Sequence, residues 1–110
     1  MIAGLADLSR KHGIRIVNFG HADNGNIHMN LLGDTQDAAQ GAAMHKCLEE
    51  VFRLVLSLEG TISGEHGVGI EKRDYVGWEI AAETLNLMRG LKKVFDPKGI
   101  LNPGKCLPGI

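Results

Sequence analysis

The chain has 110 residues, 44% of them hydrophobic, so its length allows one domain with a true core but little room for a large cofactor as well. With 12 basic and 13 acidic residues its formal charge is −1, which predicts neither nucleic acid nor an anionic membrane as a partner. Cys47 and Cys106 lack a Cys-x-x-Cys spacing, which indicates reduced thiols rather than a disulfide framework or a zinc knuckle. The chain also lacks a long apolar stretch and a basic signal region, so we expect a soluble, cytoplasmic protein.

The first elements are a helix and two strands. Apolar residues at helical spacing predict a helix over Ile2–His12, which Gly13 can close in the left-handed conformation. Strands are predicted over residues 14–20 and 26–32. On the second strand the residues Ile27, Met29 and Leu31 face the core, whereas His28 and Asn30 face the opposite side. One side of this pair of strands is therefore expected to carry a site.

The strands are joined by Asn24-Gly25, the strongest short signal for a β-hairpin. A two-residue type I′ loop needs positive φ at both central positions, and Asn and Gly tolerate it best. With these two residues as the whole loop, His21 pairs directly with His28 across the strands. Their Cβ atoms are then about 5 Å apart on one face. This predicts a preformed pair of metal ligands, against the simpler alternative of a coincidental polar pair.

The segment after the hairpin predicts a long helix over residues 36–58, with an N-cap offered by Gly33-Asp34-Thr35. Its apolar residues form one stripe, which we expect to face the core: Met44, Leu48, Val51, Val55 and Leu58. Because a helix follows the hairpin, we expect an α+β fold in which an antiparallel sheet has its helices packed on one face.

Residues 61–69 read Thr-Ile-Ser-Gly-Glu-His-Gly-Val-Gly and show no amphipathic period, so they predict a loop. Its glycines allow close approach to the backbone, as beside a ligand, although a plain connecting loop with two solvated polar residues is the alternative. A second helix is predicted over residues 78–94, with Ile80, Thr84, Leu87, Met88 and Leu91 on one side. Residues 96–99, Asp-Pro-Lys-Gly, have the side chains of a type I turn, and the tail after them is predicted to be extended and rich in turns.

These residues suggest a metal-assisted reaction. His21 and His28 supply two nitrogen ligands, and Glu65 is the natural third ligand for a zinc- or manganese-like ion that keeps one position open. His66 would point away from the metal if the backbone is extended there. A nearby dication disfavours the imidazolium, which leaves His66 able to accept a proton. The residues alone leave hydrolysis, isomerisation and oxidation open.

Three motifs carry a resemblance: residues 20–28 (Gly-His-x-x-x-Gly-Asn-x-His), residues 63–69 (Ser-Gly-Glu-His-Gly-Val-Gly) and residues 95–105, which end in Asn-Pro-Gly-Lys. In this order they resemble the C-terminal end of the FAD-linked oxidases of the vanillyl-alcohol oxidase type. More narrowly, they resemble the branch that contains bacterial glycolate oxidase, D-lactate dehydrogenase and D-2-hydroxyglutarate dehydrogenase. The resemblance covers most of the chain.

The resemblance implies roles for individual residues. By similarity His21, His28 and Glu65 would bind a divalent metal, and Asn30 would face the substrate. His66 would take the proton from the 2-hydroxyl of a small D-2-hydroxy acid while hydride passes to the flavin. Asn102, in the closing Asn-Pro-Gly-Lys turn, would come near the flavin of FAD.

Family members carry FAD mainly on an N-terminal domain, whereas this chain starts about twenty residues before the first motif, so we expect that domain to be absent. Without a glycine-rich phosphate-binding segment after a strand, the chain is not expected to hold FAD tightly or to be active alone. It is then a single domain, residues 1–110, forming the C-terminal substrate and metal side of a larger flavoenzyme completed by an FAD-binding domain or companion chain. The alternatives are a non-catalytic metal-binding or assembly module and a metal-dependent hydrolase. A severed domain should expose an apolar patch or bury it in a homo-oligomer.

Overall fold

A computed structural model describes residues 1–109, and they form an α+β arrangement of helices and one two-stranded antiparallel sheet, as predicted. The chain divides into two compact units, the first covering Met1–Thr61 and the second beginning at Ile62. Among the described residues, no helix combines the length and the apolar composition needed to cross a membrane.

The first unit contains helix α1 (Ile2–His12), strands β1 (Arg15–His21) and β2 (Asn26–Leu32), and helix α2 (Ala38–Ser57). The predicted bounds of α1 are confirmed, and Gly13 ends it with φ 64°. Helix α1 contacts both α2 and β1. The core of this unit consists of buried side chains from these elements and their connections: Leu5, Ile14, Cys47, Val51 and Phe52. The hairpin therefore contacts α1 through β1, and α1 in turn packs on α2.

The predicted N-cap of the long helix is wrong by a few residues. Helix α2 is capped by Asp37, whose Oδ1 accepts hydrogen bonds from Ala39 N at 2.9 Å and Gln40 N at 3.4 Å. Asp34 instead caps its own bend, because its Oδ1 accepts a hydrogen bond from Gln36 N. Of the predicted apolar stripe Val51 is buried, while Leu58 is 53% exposed at the end of the helix.

The second unit contains a 3₁₀ turn (Arg73–Tyr75) followed by helices α3 (Val76–Glu79) and α4 (Ala82–Phe95). The single helix predicted over residues 78–94 is therefore interrupted. Ile80 takes extended angles, φ −104° and ψ 125°, and its N–H bonds back to Val76 O at 2.9 Å. Ile80 packs against the small core of the unit, formed by Val76, Leu85 and Leu107. At the interruption the Ile80 side chain is thus partly buried against this core.

The residues predicted to share one side of helix α4 are mostly exposed. Leu85 is buried and Met88 packs on the core, whereas Leu87 is 66% and Leu91 is 53% exposed. Together with the residues that follow the helix they form an exposed apolar face: Leu87, Leu91, Val94, Phe95, Ile100 and Leu101. The apolar side predicted for this helix thus lies largely at the surface.

The turn after α4 is confirmed, with Gly99 N donating to Asp96 O at 3.0 Å. Asp96 is buried, and its carboxylate accepts hydrogen bonds from Lys92 Nζ at 2.6 Å and from the backbone of Ile100 and Leu101, each at 3.0 Å. The hydrogen bond from Lys92 holds the pKa of Asp96 below its usual value. The tail after it runs through bends and turns to residue 109.

Candidate metal and proton-transfer site

The hairpin loop is longer than the predicted two residues. Strand pairing ends at His21 opposite Asn26, so residues 22–25 form the loop. Gly25 has φ 72°, but Asn24 is not in the positive-φ region that a type I′ turn requires. Asn24 uses its side chain instead, because its Oδ1 accepts a hydrogen bond from Asn26 N at 3.1 Å. The direct pairing of His21 with His28 is therefore wrong.

The two histidines nevertheless lie on the same face of the sheet. His28 pairs with Phe19, which lies two residues before His21 on β1, so His21 and His28 are diagonal neighbours. Their ring centroids are 5.8 Å apart, and one ring nitrogen of each lies within 4.8 Å of the other. Phe19 stacks on His28 with ring centroids 5.0 Å apart, which limits how far the His28 ring can turn.

This nitrogen pair fits a divalent ion. A bond from an imidazole nitrogen to zinc is about 2.0–2.1 Å long, so two nitrogens on one ion are at most about 4.2 Å apart. A small rotation of either ring is enough to reach that separation from within 4.8 Å. The hairpin by itself thus has two nitrogens placed to serve as ligands, where a catalytic zinc-like ion takes three ligands from its protein.

Gly20, next to His21, is a residue of the site whose structural role the sequence reasoning missed. A Cβ atom added to Gly20 would lie 2.1 Å from Asn26 O and 3.0 Å from Ile27 Cα. Both are backbone atoms of the facing strand, so they cannot move aside as a flexible side chain can. Glycine inside a strand is the available signal for such a close approach.

Asn30 lies on the same face of β2 as His28, two residues further along the strand, and is exposed. Opposite it on β1 is Val17, which is 38% exposed. Ile27 and Met29 on the other face are half-buried, as is His28, so the division of the hairpin into a core face and a site face stays a prediction. A polar group at Asn30 is available to a ligand held at the histidines.

Glu65 and His66 belong to the second unit and occupy the centre of a β-turn. Gly67 N donates to Gly64 O at 3.3 Å, and Gly67 has φ 78°. The extended backbone assumed for these two residues is therefore wrong, and their side chains do not simply alternate. His66 Nε2 lies 3.9 Å from Glu65 Oε1, and the side chains are 80% and 47% exposed, respectively. An exposed carboxylate and an exposed imidazole at one turn can contact the same ligand.

Asn102 has φ 46°, the left-handed region that few residues other than glycine adopt. The segment around it is held from both sides, because Lys92 Nζ donates to Leu101 O at 2.6 Å and Arg73 Nη1 donates to Gly104 O at 2.7 Å. The exposed side chain of Asn102 is thus presented from a fixed backbone.

The comparisons with known proteins agree with these motifs. Residues 1–106 match the family of FAD linked oxidases, C-terminal domain. The glycolate oxidase subunit GlcD of Bacillus subtilis (strain 168) is 38% identical over 96% of this chain and 22% of its own length. The mitochondrial D-2-hydroxyglutarate dehydrogenase of Bos taurus is 40% identical over 91% of the chain and 17% of its own length. A Danio rerio protein named as a probable mitochondrial D-lactate dehydrogenase is 36% identical over 80% of this chain and 18% of its own length.

The chain therefore spans about a fifth of the length of the curated relatives it matches. The family match extends from the first helix through the closing Asn-Pro-Gly-Lys segment, and so includes all three sequence motifs. On this evidence the chain belongs to the family of FAD linked oxidases, C-terminal domain, in the branch that contains glycolate oxidase, D-lactate dehydrogenase and D-2-hydroxyglutarate dehydrogenase.

Proposed function

We propose that this chain supplies the metal and substrate side of an FAD-dependent oxidoreductase that converts a small D-2-hydroxy acid to the 2-oxo acid. The observation that carries the proposal is the nitrogen pair of His21 and His28 on one hairpin face, in a chain of this family. D-Lactate, glycolate and D-2-hydroxyglutarate are the substrate classes that the names of the relatives suggest.

In this proposal His21, His28 and Glu65 bind a divalent ion, with zinc or manganese as the candidates. Two imidazole nitrogens and one carboxylate are a ligand set typical of a catalytic site, since they leave a coordination position for a ligand oxygen. When bound, such an ion polarises the oxygen that it contacts. The exposure of Glu65 at its turn leaves the carboxylate accessible for this role.

His66 acts as the base in the proposed reaction. Its ring takes the proton of the 2-hydroxyl, and its 80% exposure leaves the nitrogen accessible to a substrate. Asn30 binds the substrate from the hairpin face, and Asn102 lies at the flavin. FAD, when bound, supplies the hydride acceptor. The residues of this chain thus bind, orient and deprotonate the substrate.

The ligand assignment is tested by titrating the chain with Co²⁺, whose visible absorption reports nitrogen ligation. We expect His28→Ala and His21→Ala each to abolish stoichiometric binding and to retain the circular dichroism spectrum of the parent. His45→Ala is the matched control, because His45 is an exposed histidine of α2 that lies 3.4 Å from Glu49. Unchanged Co²⁺ binding in His28→Ala would refute the assignment of His28 as a ligand.

The exposed apolar face of α4 and its tail is proposed to pack against the FAD-binding part of the enzyme. Phe95 is 80% and Val94 is 72% exposed, and such a face is uncommon on a free surface. The occupant is inferred from the relatives, in which about four fifths of the length has no counterpart in this chain. A homodimer in sedimentation experiments that buries Phe95 would contradict this choice of partner.

Activity is tested by mixing the chain with the FAD-binding part of the Bacillus subtilis relative, produced without the segment that matches this chain. We expect flavin absorbance to bleach on addition of D-lactate, glycolate or D-2-hydroxyglutarate, and neither component alone to react. His66→Gln should keep the complex and lose the bleaching. A stable complex that none of the three acids reduces would count against the proposed activity.

A further inference from the structure

The backbone of Ile62, immediately before the Ser-Gly-Glu-His motif, is bound on both sides by charged side chains. Its N–H donates to Glu79 Oε2 at 3.0 Å, and its carbonyl accepts a hydrogen bond from Lys72 Nζ at 2.8 Å. The Ile62 side chain is only 5% exposed. A loop residue is thus held at its N–H, its C=O and its side chain.

The other end of the same loop is also held. Gly69 O accepts a hydrogen bond from Cys106 N at 2.8 Å. Between Ile62 and Gly69 the backbone forms no helix or strand, and the turn that carries Glu65 and His66 lies in the middle. Because loops with few buried contacts open readily, the orientation of this turn depends on where its two ends are fixed.

Burial of Lys72 lowers the pKa of its ammonium group. A partly buried ammonium loses hydration, and a hydrogen bond to a carbonyl offsets part of that cost. Lys72 N also donates to Val68 O at 3.3 Å, which ties its own backbone to the far side of the loop. The side chain therefore reaches back across the loop rather than into solvent.

Taking the proposed function as given, we infer that Lys72 and Glu79 are positioning residues that hold the Ile62 backbone and thereby set the orientation of Glu65 and His66. Neither residue contacts the reacting groups in this assignment. They act through the main chain. In metal sites, residues that hydrogen-bond to a ligand residue without touching the metal orient that ligand in the same way.

Lys72 and Glu79, which hold the Ile62 backbone from its two sides, are called the clamp. The test uses two variants that each remove one of these side chains, Lys72→Met and Glu79→Ala. Hydrogen exchange of the Gly67 amide in the metal-free chain should rise about tenfold or more in each, the factor that corresponds to losing one hydrogen bond to a charged group. Amides of α4 should exchange as in the parent, which shows that each variant is folded. Glu79→Gln keeps an oxygen acceptor and should exchange like the parent.

Co²⁺ titration provides the functional readout. Lys72→Met and Glu79→Ala should weaken Co²⁺ binding about 10- to 100-fold, the usual effect of losing an outer partner. Lys93→Met and Glu83→Gln on α4 are matched controls that should leave affinity and exchange unchanged. A parent chain that binds no Co²⁺ would refute the metal proposal, while the exchange measurement would still decide whether the clamp holds the loop.

Two results would overturn the inference. One is parental exchange at Gly67 in both clamp variants. The other is accelerated exchange with unchanged Co²⁺ affinity, because Lys72 and Glu79 would then order the loop without placing Glu65.

Discussion

Replacing Gly20 by alanine should damage the histidine face through the backbone alone. The new Cβ would lie 2.1 Å from Asn26 O, whereas real Cβ contacts are essentially never under 3.0 Å. The two strands must therefore separate by about 1 Å next to His21, the last residue of β1. Because the obstacle is main chain, we expect the free energy of unfolding to fall by about 1–3 kcal/mol, the usual range for overpacking.

The measurement is thermal unfolding followed by circular dichroism, combined with Co²⁺ titration at low temperature. For a unit of this size the loss corresponds to a fall in Tm of about 5 to 20 °C. The matched control is Gly90→Ala inside α4, where an added Cβ meets nothing within 4 Å. The free energy of unfolding of that variant should rise by about 0.5–1 kcal/mol, because glycine destabilises a helix interior relative to alanine. If Gly20→Ala unfolds at or above the parental Tm, the close approach of the two strands does not constrain this position.

Three further variants test details of the fold. Asp37→Ala should cost about 1 kcal/mol in urea unfolding through loss of the α2 N-cap, whereas Asp34→Ala should cost less if Asp37 is the true cap. The pKa of Asp96 is lowered in the folded chain by the hydrogen bond from Lys92, so its stabilising contribution is full above its unfolded pKa and is lost as the pH falls toward its folded pKa. The urea midpoint should therefore fall as the pH is lowered below about 4, the ordinary pKa of an aspartate, and should fall less steeply in Asp96→Asn; equal slopes would contradict this role of Asp96.

The hairpin illustrates how much of the site was predictable. The Asn-Gly signal correctly indicated a hairpin, but it did not reveal that the loop would have four residues or that the Asn24 side chain would accept a hydrogen bond from Asn26 N. The resulting register differs from the prediction by two residues, and side chains alternate with a period of two. An even shift keeps every residue on its face, so His21 and His28 remained neighbours although their direct pairing was wrong.

Helix α4 illustrates what periodicity does not determine. Apolar residues occupy more than one side of this helix, and hydrophobic spacing identifies an apolar stripe without saying what it packs against. The structure buries Leu85, while Leu87 and Leu91 remain exposed. In a chain that spans a fifth of its relatives' length, an apolar stripe can belong to an interface as readily as to a core.

The irregular tail owes its fixed path to basic side chains, a pattern that secondary-structure reasoning does not detect. Backbone carbonyls outside helices and strands still need donors. Here they are supplied by Lys92 to Leu101, by Arg73 to Gly104 and by Arg89 to Pro108, at 2.6, 2.7 and 2.7 Å. Since Cys106 N in the same tail holds Gly69 O, the tail that presents Asn102 also anchors the loop that carries Glu65 and His66. A change that loosens the tail should therefore disturb the proposed base and the proposed flavin contact together.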